Sequence, residues 1–228
     1  MFATHIRFRR LHAALVLAGV SFFTSVAFSK NKDKEKAEGG FVSIFNGKDF
    51  TGWAGPLDNY EIVDGAIRCK KGKGGTIFTK ESYADFVVRF EFKLPPGGNN
   101  GLALRYPGKG NTAYVGMCEL QVLDDHYEKV RKAKLDPRQV HGSAYGMVGA
   151  KRGFQRPYGE WNEQEVTVKG STIRVVLNGE TILDADLSKV TEYMGGKPHA
   201  GKARKEGHFG FAGHSDPVSF RNLRIKKL

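Results

Sequence analysis

Two alternating segments constrain this chain most, Gly101-Leu-Ala-Leu-Arg-Tyr106 and Met117-Cys-Glu-Leu-Gln-Val-Leu-Asp-Asp125. Successive side chains of a strand point to opposite faces of a sheet, so a period of two predicts a strand and says which residues share a face. Leu102, Leu104, Cys118, Leu120 and Val122 fall on one side, which reads as core. Arg105 with Ala103, and Glu119 with Gln121, fall on the other. A guanidinium, a carboxylate and an amide on rigid sheet positions make a floor suited to a polar ligand such as a sugar.

The same period recurs in Val87-Val-Arg-Phe-Glu-Phe-Lys-Leu94 and Glu165-Val-Thr-Val168, while Thr172-Ile-Arg-Val-Val-Leu177 is β-branched and apolar. Glycine supplies the punctuation. Lys169-Gly-Ser171 and Asn178-Gly179 are hairpin signals, the second because a type I′ turn needs positive φ at both central residues. Pro95-Pro-Gly-Gly98 ends another strand. With 29 glycines and helix expected only as one or two turns around Leu187 to Tyr193, the chain is predicted to be all-β, a two-sheet antiparallel β-sandwich or jelly roll.

Ahead of the domain, Arg7, Arg9 and Arg10 precede an apolar run, Leu11 to Phe23, and the small residues Ser25-Val-Ala27. That order predicts a signal peptide over residues 1–27, cut after Ala27, with export to the periplasm or the extracellular space. The rival, an uncleaved anchor, is disfavoured by the shortness of the apolar run. Residues 28–39 read as a charged flexible linker and 40–228 as one domain. The formal net charge falls from +12 to +9 once the three arginines of the leader go. The basic residues are scattered, lack aromatic interleaving and match no nucleic-acid motif, so nucleic acid is not the expected partner. A basic surface fits adhesion to acidic envelope polymers, and no stable protein partner is implied. Cys69 and Cys118 are the only cysteines; an oxidising compartment permits a bridge, and two buried free thiols are the alternative.

Several phrases resemble, in order, one known family. They are Gly40-Phe-Val-Ser-Ile-Phe-Asn-Gly-Lys-Asp-Phe-Thr-Gly-Trp53, Tyr60-Glu-Ile-Val-Asp-Gly-Ala-Ile67, Asn100-Gly101, Glu119-Leu-Gln-Val-Leu-Asp124, Gly142-Ser-Ala-Tyr145, Gly159-Glu-Trp-Asn162, Leu177-Asn-Gly179 and Val218-Ser-Phe-Arg-Asn-Leu-Arg-Ile225. This order is similar to that of the 3-keto-disaccharide hydrolase domain family and covers essentially the whole mature chain. The resemblance implies a concanavalin A-like lectin/glucanase sandwich, usually exported, acting on a sugar whose C3 hydroxyl has become a ketone. The chain departs from the family at Asn99-Asn100-Gly101, where Asn-Ser-Gly is common, and in the basic stretch Glu128 to Lys134.

A C3 ketone acidifies the proton on C2, so a base can remove it, the oxygen on C1 can leave, and water can add back. This chemistry needs a base, an acid for the leaving oxygen and a group that stabilises the enolate. Glu119, His214 and His141 are the candidate acid–base residues, Arg105 the candidate stabiliser, and Gln121, Asp124 and Asn162 candidate hydroxyl ligands. His208 and His126 rank lower, the latter fitting a turn. Tyr145 and Trp161 offer flat surfaces for stacking on a sugar ring, although Trp161 equally suits a core position; Trp53 reads as core. No cofactor is specified, but Asp124-Asp125 and Asp184-Ala-Asp186 could supply oxygens to a divalent metal ion such as calcium.

Two rivals use the same face. A carbohydrate-binding, lectin-like module would need the aromatics and no base. A retaining, laminarinase-like glucanase would pair Glu119 with Asp124, which a regular strand puts on opposite faces.

Overall fold

The computed structural model describes residues 1–2 and 38–228. The signal-peptide and linker readings fall, apart from residues at either end, outside the described residues. Among the described residues thirteen strands form two antiparallel sheets, the predicted sandwich. In chain order they are β1 (Val42–Ser43), β2 (Trp53–Ala54), β3 (Tyr60–Val63), β4 (Ala66–Cys69), β5 (Gly74–Tyr83), β6 (Phe86–Lys93), β7 (Asn99–Tyr106), β8 (Cys118–Leu123), β9 (Asn162–Lys169), β10 (Thr172–Leu177), β11 (Glu180–Asp186), β12 (Gly207–His214) and β13 (Ser219–Lys227). The larger sheet runs β11-β10-β9-β6-β13-β4-β3, with β1 also on β13, and the smaller runs β2-β5-β12-β7-β8.

The alternation of β6 sends Phe86, Val88, Phe90 and Phe92 inward, where they meet Phe209 and Phe211 of β12 and Phe220 of β13. Phe211 and Phe220 stack with centroids 3.9 Å apart, and Trp53, buried as expected, stacks on Phe211 at 5.6 Å. Each such ring contributes about 1.5–3 kcal/mol by leaving water. The turn after β10 has Asn178 at φ 49° and Gly179 at φ 93°, the conformation that the Asn-Gly pair predicts. Arg221, beside the inward Phe220, turns out and donates to Glu91 at 2.7 Å.

Helix is scarcer in the predicted place and present in two others. Around Leu187 to Tyr193 there is a 3-10 turn, Leu187–Lys189. Two short helices follow β7 and β8 instead: α1 (Thr112–Val115), capped by the Asn111 side chain, and α2 (Tyr127–Arg131), inside the basic stretch. Both help to wall the outer face of the smaller sheet. Cys69 and Cys118 are buried free thiols, with burial pushing both up and Cys69 to about 11, so the bridge is not formed.

Candidate active site

The pairing of β7 with β8 sets Gly101 beside Gln121 and Ala103 beside Glu119, while Leu102, Leu104, Cys118, Leu120 and Val122 are all buried on the core side. The expected division of faces therefore holds up to Leu104. Glu119 lies flat along the outer face because Gly101, its diagonal neighbour on β7, has no side chain; a Cβ there would overlap Glu119 Oε1 and Cγ. The carboxylate thereby reaches the end of β12, where His214 Nε2 lies 2.8 Å from Oε1. Glu119 is nearly sealed, its side chain 5% exposed, whereas that of His214 is 43% exposed and faces the opening. The hydrogen bond to Glu119 raises the pKa of His214, with burial opposing and Asp216 adding to the rise. Among the described residues no protein group bonds Glu119 Oε2.

A second edge is laid along β8 by the loop after it. Gln121 N donates to Ser143 O at 3.0 Å, Gly142 N to Gln121 O at 2.8 Å and Tyr145 N to Glu119 O at 3.0 Å. This pairing explains the Gly142-Ser-Ala-Tyr145 phrase, since it delivers Tyr145 to the side of Glu119. Gln121 spends its Nε2 on Gln139 O, 3.2 Å away, which leaves Oε1 for a ligand. Burial holds the Tyr145 phenol above its ordinary pKa, so it remains a donor at neutral pH. Together Glu119, Gln121, Tyr145 and His214 line a cleft of about 310 Å³, closed at the sides by Tyr114 of α1, Tyr127 of α2, Asn99, Asn111 and Gln139.

Five expected site residues do not join them. Arg105 is 1% exposed, with φ at 49° and a register shift opposite it between His208 and Gly210. This bulge breaks the alternation, so the guanidinium leaves the Glu119 face and donates to Ala84 O, Gly170 O, Arg204 O and Asp85 Oδ1 at 2.7–2.9 Å. Its role as enolate stabiliser is therefore withdrawn. His141 is likewise interior: its ring stacks on Phe92, Nδ1 accepts from Leu123 N, and Nε2 donates to Gln164 Oε1. Burial pulls His141 down to about 4, so it is a neutral strut rather than a base in the cleft.

Asp124 accepts from Gly97 N, His126 N and Tyr158 OH, and Asn162 Oδ1 accepts from Arg156 N and Asn178 Nδ2. Both line a separate hollow of about 560 Å³ whose polar groups are largely spent on one another. Asp124 and Glu119 thus fail to form the carboxylate pair of a retaining glucanase. Trp161 lies under Arg221 and Lys93, 4.1 and 4.8 Å from the ring centroid, against the outside of the other sheet. Neither predicted acidic pair forms a metal cage: Asp186 accepts from Ser171 and Ser188, and among the described residues no three His, Cys, Asp or Glu side chains are grouped to hold an ion.

Tyr114, Tyr127, Asn111 and Gln139 were invisible to alternation because they reach the cleft from short helices and loops. The Tyr114 ring is itself braced, 4.8 Å from His199 and 3.7 Å from Lys197 Nζ. Asn99 carried a signal, as it opens the Asn99-Asn100-Gly101 phrase. Its Oδ1 is buried in the cleft lining without a partner.

The architecture defines an antiparallel β-sandwich of jelly-roll type with a polar cleft on the outer face of its smaller sheet. Over residues 40–226 the chain matches the 3-keto-alpha-glucoside-1,2-lyase-like domain family, and it belongs to that family. A 3-keto-disaccharide hydrolase of Bacteroides thetaiotaomicron is 29% identical, with 83% of this chain and 79% of the relative covered. A provisionally assigned glycosyl hydrolase of Parabacteroides distasonis superposes with a TM-score of 0.70 at 28% identity, over 83% of this chain and 94% of its own. A Bacillus subtilis protein with a galectin-like fold shares the fold at 13% identity and a TM-score of 0.50, over 82% of this chain and 94% of its own.

Proposed function

We propose that the cleft cleaves glycosides oxidised to a ketone at C3, by elimination across C1 and C2 followed by hydration. The observation that carries this reading is the 2.8 Å contact between Glu119 and His214 at the cleft floor, with the second carboxylate oxygen unspent. Glu119 Oε2 takes the C2 proton, and the electron pair of that bond moves into an enolate. The enolate then expels the C1 oxygen, which takes a proton from the His214 imidazolium. Water added across the resulting C1–C2 double bond returns a proton to C2 and a hydroxyl to C1, giving the free keto-sugar. The raised pKa of His214 supports its part, because it extends upward the pH range over which the imidazolium can serve as the acid the leaving oxygen needs. With Arg105 elsewhere, the Tyr145 hydroxyl is the donor assigned to the enolate oxygen, and Gln121 Oε1 accepts from a sugar hydroxyl.

The family match and the hydrolase relative support a keto-sugar substrate. On the same reading the mature protein acts outside the cytoplasm after loss of the leader. The test is incubation with 3-keto-trehalose and with unmodified trehalose, following released glucose. Release from the keto-sugar alone is the expected result. Equal release from both would mean ordinary glycoside hydrolysis, and binding of either without release would mean a lectin-like module.

A further inference from the structure

One ion pair ties three elements at the His214 end of the cleft. Arg131, in α2, donates through Nη2 to Asp216 Oδ1 at 2.6 Å and through Nε to Gly97 O at 3.0 Å. Gly97 has φ at 66°, and a Cβ there would come within 2.8 Å of Arg131 Nε and Val130 Cγ1, so this turn admits the arginine only as glycine. The other oxygen of Asp216 accepts from Asn99 N at 3.0 Å, at the residue whose side-chain oxygen is left unpartnered in the cleft lining. Asp216 is also two residues beyond His214, in a turn where Ser215 has φ at 73°. A single carboxylate thus holds the start of β7, the end of β12 and α2 together.

We propose that the Arg131–Asp216 ion pair is a positioning element that seats His214 against Glu119 and balances the charge His214 carries. The proposal rests on the acid–base reading of that pair but makes a claim of its own about how the pair is set. The charged groups around the imidazole have opposed effects. Glu119 from β8 and Asp216 from the turn favour the imidazolium, and Arg131 from α2 pairs with Asp216, so that its charge opposes that of the carboxylate. Behind the strand, Tyr60 and Cys69 are held above their ordinary pKa by burial and carry no charge at neutral pH, and Tyr145 in the cleft is likewise neutral. Removing the charge of one partner or of the other must therefore move His214 in opposite directions, whereas loss of a merely structural brace would lower it in both by loosening the Glu119 hydrogen bond.

The experiment is an NMR pH titration of the His214 ring in the unliganded full chain, which needs no turnover. Asp216→Asn is expected to lower the titration midpoint and Arg131→Gln to raise it, each by about half a pH unit, the order of one charge screened by a partly hydrated site. Arg131→Lys, which keeps the charge, should leave the midpoint near that of the wild type. In turnover of a keto-glycoside the alkaline limb of the rate profile should shift in the same directions. Midpoints that stay put, or that move the same way in both variants, overturn the proposal. Should Asp216→Asn fail to fold, Arg131→Gln decides alone, since an unchanged or lowered midpoint contradicts it. A wild-type protein that cleaves no keto-sugar would sink the functional reading and leave this result to stand on the titration.

Discussion

Two polar clusters on the β7–β8 ladder, one around the Arg105 guanidinium and one around the Glu119 carboxylate, use their groups in opposite ways. Around Arg105 the guanidinium donates to three carbonyls and a carboxylate and is sealed from solvent, outside the cleft lining. Around Glu119 one carboxylate oxygen and one amide oxygen of Gln121 have no protein donor, and His214 opens to solvent. Arg105 and Glu119 are both buried, so burial does not separate them. Unspent hydrogen-bond capacity does: a buried acceptor without a donor costs free energy that a ligand hydroxyl can return. The same distinction sets His141, with both ring nitrogens satisfied, apart from His214.

The contrast can be broken by substitution, and the largest effect should be on folding. Arg105→Ala strips buried donors from Ala84, Gly170 and Arg204, leaves Asp85 with Gly170 N alone and opens a cavity where the side chain lay, which should cost about 3–5 kcal/mol in denaturant unfolding. Activity per folded molecule should be unchanged. A folded variant with lost activity and unaltered stability would return Arg105 to the site.

Next in size is a pH effect from the other buried group. His141 has a folded pKa of about 4 against an unfolded value near 6.5, so its charged form is disfavoured in the native protein. The sign follows directly. This contribution is complete above pH 6.5 and is lost as pH falls toward 4, on the order of 3 kcal/mol in all. Unfolding measured from pH 7 to 4 should show the slope, and His141→Gln should lower stability at pH 7 while flattening it. A slope that persists in the variant would place the titration elsewhere.

Smaller in stability but sharp in function is Gly101→Ala. The added methyl displaces the Glu119 carboxylate from His214, so cleavage of a keto-glycoside should fall by about a hundredfold, as for loss of a general base, with about 1 kcal/mol or less lost in folding. Unchanged cleavage would show that the flat pose of Glu119 is not required.

How much of this was legible in the sequence varies between two neighbouring strands. Period two sorted Glu119 and Gln121 from Leu120 and Val122 because β8 is regular, and it failed for Arg105 because a bulge with one left-handed residue turns that side chain away. Alternation carries no mark of such a bulge. Asp124, just past the end of β8, is bound by the Gly97 turn, a contact between segments 27 residues apart that spacing does not reveal. His141 and Tyr145 flank one short phrase, yet only pairing of that phrase with β8 decides that the first enters the core and the second the cleft. The cleft walls of α1 and α2 escaped because a single helical turn has no period to detect.

The most direct test of the account compares Glu119→Gln with the wild type on a 3-keto-disaccharide, with the C2 proton and with deuterium in its place. The account predicts a loss of about a hundredfold or more in rate for Glu119→Gln with unfolding unchanged, and a slowed deuterated reaction for the wild type where C2–H cleavage limits the rate. Full activity in Glu119→Gln would contradict it, and would remove the cleft's carboxylate from the chemistry.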